Sequence, residues 1–335
     1  MSDLTVCMVN TGTADLLDAN WKLTAALNSR MPARWVVVDN TPPAWPGAVS
    51  AADPRFVVVP GVPASEAERW NDNTVCGVKF GSFQHGAGLN IALGHATTRW
   101  VLFLDPDFCL VVPEWCSVLP AYMAEHGVAF FGAPYHPFMF LKYRYFPTAF
   151  CMLVDLDKVP RAHVDFRPTM VPRKPGMRLI EKLFPRLLIG KSKDVGSRIY
   201  GRYAASEAVK NVIVQASWRH VPRPPLWRRA VKKLLPDRLV ITPKRPDCAT
   251  ELTFRSCGFP DPSALGGLTD EYFWRGEPFG FHIRMRVQQG VAMDRVLQLV
   301  ASFGTPDVTR RFKHRPATAT TPTPRAACGL APEQR

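Results

Sequence analysis

An α/β fold, with a single, mostly parallel mixed sheet flanked by helices, is predicted by three observations. Short apolar or β-branched runs at residues 5–9, 35–38 and 56–59 each end in turn-forming residues. Segments of helical periodicity separate runs of this kind, which is the sequence form of parallel strands joined by crossover helices. The stretch Arg99-Trp-Val-Leu-Phe-Leu-Asp-Pro-Asp107 holds five consecutive apolar residues and then two carboxylates. An unbroken apolar run suits a strand covered on both faces, and sheets of this class place ligands at the carboxyl ends of their strands.

Each element follows in order. After strand 5–9, Asn10-Thr-Gly-Thr13 supplies a turn and a helix cap. Leu16, Ala19, Leu23, Ala26 and Leu27 then recur at helical spacing. Strand 35–38 closes on Asp39-Asn40 and a Pro-rich loop, and strand 56–59 runs into Pro60-Gly61. Residues 85–96 read as a glycine-opened helix with Leu89, Ala92, Leu93 and Ala96 inward. It leads into the strand that carries the acids. A helix over 114–124, a strand over 128–131 and a strand over 150–154 complete the first half. The aromatic stretch 135–147 suits either a pocket wall or a hydrophobic hairpin.

Charge divides the chain. Its net charge is +14, yet residues 158–246 alone hold 22 Lys and Arg against five acids, leaving the remainder slightly acidic. A local basic block calls for an anionic partner such as a nucleotide, a phosphorylated lipid or a membrane surface. Within it, Leu226, Trp227, Ala230, Val231, Leu234 and Leu235 form an apolar stripe interleaved with Arg228, Arg229, Lys232 and Lys233. That amphipathic basic helix either packs on the domain or lies on an anionic membrane, at about 1 kcal/mol per basic residue. No nucleic-acid motif or stacking platform accompanies it, so nucleic acid is not an expected partner.

The organisation expected is a first half over 1–155, a second half of the same domain over 156–315, and a disordered Thr/Pro/Ala-rich tail over 316–335. No apolar run reaches the roughly 18 residues of a membrane span, and the start of the chain lacks a basic-then-apolar leader. The eight cysteines include no CxxC pair, so neither a zinc site nor a disulfide framework is expected. A cytoplasmic protein is the corresponding expectation, with peripheral contact at the inner face of a membrane as its variant.

Asp105 and Asp107 carry the chemistry. Unit charges about 4 Å apart repel by roughly 4 kcal/mol at an effective dielectric of about 20, a cost that a cation or a shared proton must offset. Hard oxygen ligands suit Mg²⁺ or Mn²⁺, which in turn bind a diphosphate. A solvated Asp-Pro-Asp turn fits the pattern equally well.

Taken in order, the polar turn after the first strand, Val36-Val-Val-Asp-Asn40, the helix bearing Gly86, Gly88 and Asn90, and Phe103-Leu-Asp-Pro-Asp107 resemble the family 2 glycosyltransferases of the A-type fold. The likeness covers residues 5–155 well and the rest loosely. It implies transfer of a hexosyl or deoxyhexosyl group from a nucleotide-diphosphate sugar to a glycan or lipid-linked acceptor, in cell-wall or polysaccharide biosynthesis.

The resemblance also implies roles. Asp39 would contact the base or ribose, or else only form an Asx turn before Pro42. Asn10 and Thr11 would border the nucleotide. Asp107 would be the metal ligand and Asp105 the ribose or water-mediated partner. Gly86 and Asn90 would support the donor site, with a structural cap as the equal reading of Asn90. An inverting enzyme also needs a carboxylate base, which the family provides in a Glu/Asp-Asp pair opening a later helix. Here Lys193-Asp194 is the nearest match. Its basic surroundings should lower the pKa of Asp194 and weaken it as a base, and a helix cap in an ion pair is the other reading. A late histidine, His282, would be a further metal ligand or diphosphate contact if it is not structural; His85 and His95 carry less weight.

Three other functions compete. A sugar nucleotidyltransferase would need an arginine-bearing phosphate loop, and Asn10-Thr-Gly-Thr-Ala14 has none. The basic block alone would suit a non-catalytic binding module for an anionic polymer or membrane. A dinucleotide dehydrogenase is weaker still, since no GxGxxG follows the first strand.

Overall fold

The computed structural model describes residues 2–42, 53–63, 74–75, 80–135, 143, 145–168, 171–172, 195–217, 248–265, 269–283 and 293–314. Asp194, the basic stripe over 226–235 and the tail over 316–335 lie outside the described residues.

The first half alternates as expected: β1 (Ser2–Asn10), α1 (Ala14–Leu27), β2 (Pro32–Asp39), β3 (Phe56–Pro60), a short β4 (Thr74–Val75), α2 (Phe80–His95) and β5 (Trp100–Leu104). Next come β6 (Phe108–Leu110), α3 (Trp115–Glu125), β7 (Val128–Pro134) and β8 (Pro147–Asp155). The second half contributes β9 (Val171–Pro172), α4 (Ser197–Tyr203), β10 (Lys210–Ile213), β11 (Gln215–Ser217), β12 (Thr269–Trp274), β13 (Glu277–Ile283), α5 (Met293–Phe303) and α6 (Pro306–His314).

Seven strands form the main sheet in the order β10-β7-β8-β5-β1-β2-β3. Every pair is parallel except those involving β8, which runs against β5 and β7. All five residues of β5 are buried, as its unbroken apolar run requires. Helix α2 lies on this sheet, its Leu89, Ala92, Leu93 and Ala96 in the same core as Val6, Val36 and Leu102. Strand β10 crosses from the second half to pair with β7, so the main sheet draws on both halves of the chain.

A four-stranded antiparallel sheet, β11-β12-β13-β6, stands beside the first. No apolar run in the sequence announces this sheet, because β6 and β11 have three residues each and β12 and β13 carry charged residues. Its two faces are sorted by strand parity apart from Phe279, which lies near the register shift of the β12–β13 pair and joins the main core. Phe108, Leu110 and Tyr272 join the main core. Cys109, Val111, Phe273, Phe281 and Ile283 join a second core with Leu16, Leu23 and Leu27 of α1 and Val296, Val300 and Phe303 of α5.

Candidate metal centre

The Asp-Pro-Asp turn is held by hydrogen bonds along the backbone that leaves β5. Asp105 N donates to Phe150 O at 3.0 Å, and Phe108 N closes the turn on Asp105 O at 3.0 Å. Asn20, buried on α1, donates from Nδ2 to Pro106 O at 2.6 Å. Ile283 N donates to Asp107 O at 2.8 Å. One strand of the main sheet, one helix and one strand of the second sheet therefore hold a turn that solvent would otherwise leave loose.

His282 enters through the second sheet. It pairs with Phe108 in the β13–β6 ladder, which sets it beside the turn. Its ring stacks on Phe150, with centroids 4.6 Å apart and planes 17° from parallel. One ligand atom from each of Asp105, Asp107 and His282 lies within 4.8 Å of the others. His282 Nε2 is 3.2 Å from Asp107 Oδ1. Burial is the largest influence on the His282 ring and opposes its charge, but Asp107, with help from Asp270 and Asp105, outweighs it and raises the proton affinity.

These residues suit a divalent cation. Oδ1 of Asp105 and Oδ1 of Asp107 are shielded from water, and neither accepts a well-aligned hydrogen bond among the described residues. The two side chains still keep 22% and 29% exposure, so a ligand can reach them. Two carboxylate oxygens and an imidazole nitrogen form a donor set that Mn²⁺ and Mg²⁺ accept.

His85 belongs to the same place. Its Nε2 is 2.9 Å from Asp105 Oδ1. It stands far from the acids along the chain, so its position in the sequence carries little weight. The available signal was helical phase: His85, Leu89, Ala92 and Ala96 recur at helical spacing, and the last three are buried. His95 is exposed at the other end of α2, away from the acids, and its carbonyl accepts from Arg34 Nη1 at 3.4 Å.

The carboxyl ends of β1 and β2 lie next along the sheet. Register pairs Asn10 with Asp39. Asn10 Nδ2 donates to Asp39 Oδ1 at 3.0 Å and to Thr41 Oγ1 at 2.9 Å. Asn10 Oδ1 accepts from both N and Oγ1 of Thr13 at 2.9 Å. Thr41 N donates to Asp39 Oδ1 at 2.9 Å, the Asx turn that the sequence allowed. Thr11 is exposed at the tip of this turn.

Gly86 and Asn90 contact the segment around Phe166. Asn90 Nδ2 donates to Asp165 Oδ1 at 2.8 Å, and Asn90 Oδ1 accepts from Phe166 N at 2.9 Å. A Cβ on Gly86 would stand 2.6 Å from Phe166 O. Both residues thus seat the segment around Phe166 against α2. That segment accepts from Gly196 N through Phe166 O at 3.1 Å, directly before α4.

No family model matches the chain, and no curated protein matches it. Solved structures give distant likenesses. A mannosyltransferase from Pyrobaculum calidifontis in complex with GDP-Man and Mn²⁺ is 16% identical, with 49% of this chain and 47% of that one covered and a TM-score of 0.34. TarS 1-349 of S. aureus in complex with UDP-GlcNAc is 14% identical over 50% and 48% of the chains, with a TM-score of 0.32. The galactosyltransferase LgtC with donor and acceptor sugar analogs is 14% identical over 92% and 99%, with a TM-score of 0.40. The chain thus spans about half the length of the first two. Likenesses this remote assign it neither an activity nor a substrate.

Proposed function

We propose that the chain is a metal-dependent glycosyltransferase of family 2 and the A-type fold, transferring a hexosyl or deoxyhexosyl group from a nucleotide-diphosphate sugar to an acceptor hydroxyl with inversion. One observation carries this reading: Asp105, Asp107 and His282 converge beside the strand ends where Asn10 and Asp39 meet. That layout suits a metal diphosphate over the cluster and a nucleoside over the rim.

Asp107 and His282 would hold Mg²⁺ or Mn²⁺, with Asp105 supporting the ion from the ribose side. A divalent ion there supplies Lewis-acid stabilisation of the charge on a departing diphosphate. Asn10, Thr11 and Asp39 border the nucleoside, and His85 keeps the Asp105 carboxylate oriented. Asp194 is the base in this reading. As the bond from anomeric carbon to diphosphate breaks and the acceptor oxygen bonds to that carbon, the carboxylate takes the hydroxyl proton.

The domain division belongs to the same proposal: residues 1–155 bind donor, 156–315 meet the acceptor, and 316–335 form the tail. Arg198 and Arg202, exposed on α4, fit an acceptor that is anionic, whether a glycan or a lipid-linked molecule at an acidic membrane. No helix among the described residues is long and apolar enough to cross a membrane, and the reading places the enzyme at the cytoplasmic face in polysaccharide biosynthesis.

Thermal-shift titration with nucleoside diphosphates tests the donor site. A nucleotide at 100 times its dissociation constant should add about 2.7 kcal/mol of stability, with Mn²⁺ required for the full effect. Donor turnover tests the metal assignment. Asp107→Ala releasing nucleoside diphosphate at the wild-type rate, metal present, would refute it.

A further inference from the structure

Asp270 is a buried carboxylate, 7% exposed, to which the mechanism above gives no task. It stands on β12 directly opposite His282 in the β12–β13 ladder. Residues directly opposite on antiparallel strands share one face of the sheet, their Cβ atoms about 4.5–5.5 Å apart. The aromatic packing checks the parity. Tyr272, two residues on, has its ring 5.4 Å from Phe108 and 6.0 Å from Phe150, the same rings that flank His282. Glu271 points the other way, its Oε2 accepting from Phe254 N at 2.7 Å in the second core.

Three carboxylates, Asp105, Asp107 and Asp270, therefore surround one imidazole. The negative field of Asp270 on this face would favour the arrival of a divalent cation at the cluster.

We propose that Asp270 is a positioning residue of the metal centre, whose negative charge beside His282 strengthens the hold of Asp105, Asp107 and His282 on a divalent cation. This rests on the metal reading of that cluster. Carboxylates behind a ligating imidazole raise its basicity, and their loss typically weakens metal binding about 10–100-fold.

The test is a Mn²⁺ titration of the full chain, followed by the electron paramagnetic resonance signal of the free ion, with metal-free melting recorded alongside. Asp270→Asn keeps the shape and removes the charge. Its dissociation constant for Mn²⁺ should rise by about 10–100-fold, and its metal-free melting temperature should stay near wild type. Asp270→Glu restores the charge and should recover most of the affinity, which keeps the question answerable if the amide folds poorly. Glu271→Gln is the control, expected to lose metal-free stability and keep the affinity. An Asp270→Asn constant within about twofold of wild type, well short of the usual loss, overturns the proposal. If wild-type protein binds no Mn²⁺ at all, the metal reading fails and this inference falls with it; the two failures are told apart by the wild-type curve.

Discussion

His85 Nε2 lies 2.9 Å from Asp105 Oδ1, joining the second turn of α2 to the carboxyl end of β5. The Asp105 backbone is already fixed by Phe150 O, so the imidazole governs only where the carboxylate points. His85→Ala removes that restraint. The Mn²⁺ concentration for half-maximal donor turnover should rise by about tenfold, with kcat at saturating metal changed less. His85→Gln, which keeps a donor of similar reach, should recover part of the loss. A fall in kcat with an unchanged metal requirement would instead assign His85 to the transfer step.

Two glycines of the same helix should respond in opposite directions. A Cβ on Gly86 would press to 2.6 Å from Phe166 O, a carbonyl that also accepts from Gly196 N. Backbone on both sides leaves little room to relax, and Gly86→Ala should cost about 1–3 kcal/mol. A methyl group on Gly94 would meet nothing within 4 Å among the described residues, so Gly94→Ala should gain up to about 1 kcal/mol. Urea unfolding midpoints of the two variants check both signs.

What the sequence revealed follows from how its signals arise. Strands β1, β2, β5, β7 and β8 announce themselves because a strand buried on both faces must be apolar throughout, and such runs are conspicuous; β3, a partly exposed edge strand, shows through its β-branched run. Their ends were less legible: β1 begins at Ser2 and β8 at Pro147, where pairing with a neighbour extends the ladder past the apolar run. Asp105 and Asp107 could be found because they abut such a strand. The approach of His85 and His282 could not be read from chain distance, since each arrives through packing. One comes by helical phase on α2 and the other by register in a sheet whose short strands lack a distinct period. Gly86 and Asn90 stand out by residue type, and the residues that Asn90 binds, Asp165 and Phe166, lie 75 and 76 positions away along the chain.

Asn10 is wholly buried and makes bonds in three directions, to Asp39, Thr41 and Thr13. Asn10→Ala leaves those partners unmatched at the strand ends, at a cost of about 1–3 kcal/mol. Asn10→Asp still accepts from Thr13 but sets a second carboxylate against Asp39, so at neutral pH it should destabilise more than alanine does. Adding Asp39→Asn to Asn10→Asp reverses donor and acceptor and should return part of the stability, a coupling that a double-mutant cycle of melting curves measures directly.

Asp165 gives the fold a pH dependence with a definite sign. Its carboxylate accepts from Asn90 Nδ2 at 2.8 Å, from the Arg167 backbone and guanidinium at 2.9–3.0 Å, and from Arg198 Nη1 at 2.8 Å. Burial is the largest single influence and opposes the charge, yet these donors outweigh it and hold the carboxyl well below the usual carboxylate range. The unfolded chain, with an ordinary Asp pKa of about 3.9, binds this proton more readily than the native state. Stability from Asp165 is therefore complete above about pH 4 and declines as the pH falls toward the native-state value. Asp165→Asn should be destabilised relative to wild type at pH 7, and the gap should narrow as the pH drops below about 4. Because Arg167 and Arg198 are half exposed, added salt should shrink the neutral-pH gap as well. A gap that holds constant from neutral to strongly acidic pH in urea titrations would show that the seat on Asn90 depends on the shape of this side chain and not on its charge.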